Sequence, residues 1–155
     1  MHKQYNKGQK IENIGIIKKG NKLMNIKEID IDSKLYPQKL LQIVNPPKKL
    51  FVLGDETLLN NQSISIIGSR CCTTYGAEVA RTFTNTLAIN GFTIVSGMAK
   101  GIDSQAHLGA IEVGGKTIAV LGSGFNNIFP SKMIFNIIVE NNGTFIREFD
   151  RVVVV

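Results

Sequence analysis

Three short segments concentrate the residue types that bind anions: Gly68-Ser69-Arg70, Ser96-Gly97-Met98-Ala99-Lys100-Gly101 and Gly122-Ser123-Gly124. Glycine lets a ligand approach backbone N–H groups, serine adds a hydroxyl donor, and a nearby cation supplies charge, a combination suited to a phosphate-bearing ligand. Arg70 stands first, because its planar fork can grip a phosphate through two parallel hydrogen bonds; Lys100 adds a point charge on the second segment. Phe125 and Phe129 flank the third, and Phe129, just before Pro130, is placed where an aromatic ring could stack on a nucleobase. Asp103 and His107 lie four apart, on one helix face, and are read as structural, with the aspartate capping the helix and the imidazole bonding backbone. Neither G-x-G-x-x-G nor a Gly-Lys-Ser/Thr loop occurs where a nucleotide-cofactor site would need it, so no cofactor is expected. Cys71 and Cys72 are adjacent, which is not metal-ligand spacing; they read as reduced thiols in a turn, and no metal is expected.

These segments need a scaffold, and the sequence from residue 62 onward supplies one in alternation. Ile64–Gly68, Phe92–Gly97, Thr117–Gly122 and Thr144–Phe149 read as strands. Between them a helix with Val79, Ala80, Phe83 and Leu87 on one face ends at Gly91, a second runs from Asp103 to Val113, and a third starts at Pro130 with Ile134, Ile137 and Ile138. This rhythm predicts an α/β fold, a Rossmann-like parallel sheet with helices on both faces. In such sheets a ligand crevice opens beyond the carboxyl ends of the strands, where all three glycine segments fall. Upstream, Leu50–Leu53 reads as a strand, and Leu40, Leu41, Ile43 and Val44 sit at helical spacing ahead of Asn45-Pro46-Pro47.

The 155 residues carry a net charge of +6, which raises nucleic acid as a partner. The charge is unevenly placed: residues 1–30 carry +4, residues 31–50 carry +3, and residues 51–155 carry −1. Residues 1–34, rich in Lys, Asn and Gln, read as a basic, flexible leader, and residues 35–155 as the folded domain. No apolar run reaches the ~18–20 residues of a membrane span, and Met1–Lys10 lacks the apolar core of a secretory signal. The expectation is a cytoplasmic protein with no membrane partner.

The same residues carry a family likeness. Ser65–Gly76 (SIIGSR, four residues, then YG), Ile94–Gly124 (with SGMAKGIDSQAH and GGKTIAVLGSG) and Phe129-Pro130 resemble the DprA/Smf family of bacterial DNA-processing proteins. The resemblance implies a Rossmann-like domain that binds and protects single-stranded DNA and helps load the recombinase RecA in natural transformation, without enzymatic turnover. Carried over by position, it assigns Gly68, Ser69, Arg70, Ser96, Gly97 and Lys100 to the DNA groove, with Phe129 where members usually have Tyr. The likeness has departures: Arg147-Glu148 stands in place of Ser-Glu, and Met133 in place of Asn. The family pattern also continues past Val155 into a part associated with homodimerisation, so the domain is expected to be incomplete. Two other readings stand beside it: a related enzyme that hydrolyses nucleoside monophosphates, whose P-G-G-x-G-T pattern and catalytic Glu are missing here, and an inactive truncated copy of the family protein.

Overall fold

Short β-branched runs separated by helices become parallel strands because each helix must return the chain to the same sheet end. The computed structural model describes residues 11–19, 22–122, 125 and 132–148. Strands β1 (Ile11–Lys19), β2 (Lys22–Asp30), β3 (Lys49–Leu53) and β4 (Ser63–Ser65) precede helix α1 (Thr74–Ile89); β5 (Thr93–Gly97), α2 (Ile102–Glu112), β6 (Thr117–Val120), α3 (Lys132–Glu140) and β7 (Thr144–Arg147) then alternate. The seven strands form one sheet in the order β1-β2-β3-β7-β6-β5-β4.

The α/β class is as read, but the sheet is mixed. Strands β4, β5, β6 and β7 are parallel, whereas β3 runs antiparallel to β7 and β2 antiparallel to β3. The expected flexible leader is likewise corrected over its described residues. Residues 11–19 and 22–30 are the two arms of an antiparallel hairpin, with Lys19 opposite Lys22, and Ile29 is fully buried against Leu50 and Tyr36. The missed signal is the Gly20-Asn21 dipeptide between two isoleucine-bearing runs, a two-residue hairpin cue. Part of the basic charge is also engaged here, since Lys27 pairs with Glu56 and Lys49 with Glu28.

A second correction concerns the covering of the sheet. Register places Ile94, Ser96, Thr117, Ala119, Phe145 and Phe51 on one face, and all three helices pack there among the described residues. Phe135 and Ile138 of α3 join Phe145 and Ala119, while Ala106 and Ala110 of α2 and Ala88 of α1 join Ile94. The opposite face is covered by Tyr36 and by Leu58 and Leu59 of the 3₁₀ turn Glu56–Asn60, packed on Ile118, Val52 and Leu50. Tyr36 is buried and donates its phenol to the Pro47 carbonyl at 2.7 Å; burial, with the nearby negative Glu148, raises its pKa and keeps it a neutral donor. The helix expected around Leu40–Val44 is only a 3₁₀ turn, Leu40–Gln42, with Val44 94% exposed, because Asn45-Pro46-Pro47 leaves it no room to continue.

Helix α1 also turns a different face inward. Ala80, Thr84 and Ala88 are buried, and Phe83 is 61% exposed. The small residues let α1 approach α2 closely, and Thr84 satisfies its buried hydroxyl by donating to the Ala80 carbonyl at 3.0 Å.

Candidate nucleic-acid interface

The loops after β4 and β5 are built as one unit. Ser96 Oγ donates to the Ile66 carbonyl at 2.6 Å, tying the end of β4 to β5. The Ile102 N–H donates to the Ser69 carbonyl at 3.1 Å, joining the first loop to the start of α2, and Ser104 Oγ donates to the Ala99 carbonyl at 2.8 Å. Gly101 makes the junction possible. Its φ is +79°, and a Cβ there would collide with the Ser69 carbonyl oxygen and lie 2.7 Å from that of Arg70.

Beyond the carboxyl ends of β4, β5 and β6 this unit frames a cleft of about 740 Å³. Four of the residues read from the sequence as phosphate-binding line it: Gly68, Arg70, Ser96 and Gly97. Arg70 is exposed, a cation at the edge of the cleft, whereas Ser96 is 1% exposed and its hydroxyl is committed to the Ile66 carbonyl. Ser69, Lys100, Gly101 and Gly122 do not line the cleft; Ser69 Oγ accepts from the Cys71 N–H at 3.1 Å, and Lys100 is exposed on the neighbouring loop. Ser123, Gly124 and Phe129 lie outside the described residues. Phe125 is buried, with the Arg147 guanidinium 4.5 Å from its ring centre, and belongs to the core.

The remaining lining residues are Ser65, Ile67, Val95, Ala99, Asp103 and Val120. Ile67 is 74% and Val120 42% exposed, so one wall is apolar and open. Sequence alternation puts Val95 and Val120 on one sheet face, but nothing local says that the covering segment reaches Val95 and stops short of Val120. Asp103 is corrected from a cap to a cleft residue. Helix α2 begins at Ile102 behind Gly101, which is the N-cap and makes no side-chain cap bond, so Asp103 sits within the first turn, too late to cap.

His107 lies on α2. It is fully buried, with Nε2 2.8 Å from the Gly97 carbonyl and Nδ1 2.7 Å from Thr117 Oγ1. Burial lowers its pKa from 6.5 to about 4, against the opposing pull of the Gly97 carbonyl and the Asp103 charge. A neutral ring with its proton on Nε2 donates to the Gly97 carbonyl, bracing the floor of the cleft from below. Among the described residues no group of three or more His, Cys, Asp or Glu side chains could hold a metal ion, and no helix is long and apolar enough to cross a membrane. A second cavity, of about 370 Å³, lies between Leu23–Lys27, Asp55-Glu56 and Asn142-Gly143, and no residue singled out from the sequence lines it.

Fold and cleft together define a Rossmann-like α/β domain whose ligand edge carries an arginine and close-packed glycine turns. The family described as DNA recombination-mediator protein A matches residues 27–152, and the chain belongs to that family. Protein Smf of Escherichia coli is 41% identical over 123 residues, 78% of this chain and 33% of that protein, and the DNA processing protein DprA of Bacillus subtilis is 43% identical over 106 residues, 68% and 36%. The chain thus spans about a third of the length of these relatives. The crystal structure of DprA from Streptococcus pneumoniae superimposes with a TM-score of 0.72 at 34% identity, covering 79% of this chain and 43% of that one. DprA from Helicobacter pylori, described for its single-stranded DNA binding mode, superimposes with a TM-score of 0.65 at 33% identity, covering 74% and 53%.

Proposed function

We propose that this chain binds single-stranded DNA along the cleft, without catalytic turnover. The observation that carries the reading is the convergence of Arg70 with the backbone of Gly68 and Gly97 in one open cleft at the strand ends. Phosphate contacts from Arg70, supplemented by exposed Lys100 and by Ser69, Gly101 and Gly122-Ser123-Gly124 of the three Gly/Ser segments, would position the strand, and Phe129 would stack on a base. The membership of the family and the binding mode described for the H. pylori protein support this. By the same resemblance the bound strand would be protected in the cytoplasm and handed to the recombinase RecA, and a homodimer would extend the groove. The lysines of residues 1–10 and 18–22 would add nonspecific affinity through counterion release.

The test is fluorescence anisotropy with a labelled oligonucleotide across a salt series. Arg70→Ala is expected to weaken binding by roughly tenfold or more, the loss of a charge-assisted bidentate contact, and to lower the salt slope by about one. Binding that is indifferent to Arg70 would remove the cleft as the site. The oligonucleotide should be recovered intact after prolonged incubation.

A further inference from the structure

The cleft contains one group that a plain phosphate site would exclude, a carboxylate. Asp103 is 7% exposed, lines the cleft and takes no hydrogen bond from any described residue. It does not cap α2, and the ring of His107 is bonded to Gly97 and Thr117 instead. The carboxylate is nevertheless held close over the strand end, since a Cβ on Gly97 would come within 2.5 Å of Oδ2. Around it the walls are apolar: Ile67, Val95, Ala99 and Val120.

A phosphate drawn to that floor would meet a like charge at short range, whereas Arg70 offers it an opposite charge at the edge. The group that fits the interior is flat, apolar on its faces and N–H-bearing on its edge. We infer that Asp103 reads a nucleobase: its carboxylate accepts from the amino-bearing edge of a base seated against Ile67, Val95 and Val120, while the adjoining phosphate is held by Arg70. This rests on the single-stranded DNA reading above and adds to it a base preference. Guanine presents N1–H and N2–H side by side to the two carboxylate oxygens. Thymine presents one N3–H between two carbonyl oxygens that the carboxylate repels. Guanine is therefore favoured in the cleft and thymine disfavoured.

The experiment is competition anisotropy on the full chain with three short oligonucleotides: all thymine, the same strand with one central guanine, and the same strand with inosine there, which lacks the N2 amine. A single guanine should tighten binding by about tenfold over the all-thymine strand, and inosine should fall between them. In Asp103→Asn the guanine-to-thymine ratio should shrink to within about twofold, because an amide can turn its N–H to thymine as readily as its oxygen to guanine. The inosine comparison needs no variant, so a poorly folded Asp103→Asn would not blunt the test. If the three strands bind equally while affinity still depends on Arg70, the base-reading role is wrong and the DNA site stands. If no strand binds, both readings fall.

Discussion

Gly101→Ala tests whether the two loops behind the cleft are one mechanical unit. The residue occupies φ +79°, ψ −130°, a region that side-chain-bearing residues rarely adopt, at a strain cost of about 1–3 kcal/mol. The new Cβ would also collide with the Ser69 carbonyl oxygen and stand 2.7 Å from that of Arg70, and these are backbone atoms that cannot rotate away. Relief requires the loop carrying Arg70 to shift, breaking the 3.1 Å bond from the Ile102 N–H to the Ser69 carbonyl, worth about 1 kcal/mol net. The combined loss is about 2–4 kcal/mol, which for a domain of this size lowers Tm by roughly 5–15 °C. Circular-dichroism melting measures the stability term. Oligonucleotide anisotropy below the melting range measures the displacement of Arg70, and the affinity should fall together with Tm. A variant that melts within 1–2 °C of the parent, or that melts early yet binds with parental affinity, would show that the loops are not coupled as described.

Two further outcomes follow from buried contacts. His107 titrates at about 4 in the fold and near 6.5 unfolded, so between these values the unfolded chain binds the extra proton: stability is full above pH 6.5 and declines as pH falls toward 4, by roughly 3 kcal/mol in all. Melting temperatures measured from pH 7.5 down to 4.5 should show this loss, and His107→Leu should flatten the His-dependent part of the slope. Gly109→Ala places a Cβ into Thr84 Oγ1 and 2.8 Å from the Arg81 carbonyl, where α2 packs on α1, and should cost about 3 kcal/mol or more; urea melts check it, and a loss below 1 kcal/mol would contradict the close packing.

What was legible in the sequence follows from short-range chemistry. The strands at residues 64, 93, 117 and 144 and the helices between them are set by β-branched runs, glycine stops and helical periodicity, all local signals. Gly68, Arg70, Ser96 and Gly97 were identifiable as a set because parallel α/β topology brings strand ends to one edge whatever the strand order. The amino-acid sequence thus determined the class and the edge at which Arg70 and the glycine turns meet in one cleft. Tertiary structure alone decided which face each element presents. Phe83 and Ala80 are both apolar, and the close approach of α1 to α2 selected the smaller one for burial. Ile29 carries no local mark of being core, and acquires that role only by pairing with Leu50 across the antiparallel strands. Asp103 reads as a cap by position, but the N-cap is Gly101, two residues earlier and at positive φ, which leaves the carboxylate to line the cleft. Each of these depends on contacts between residues far apart in the chain, where size and burial outweigh local preference.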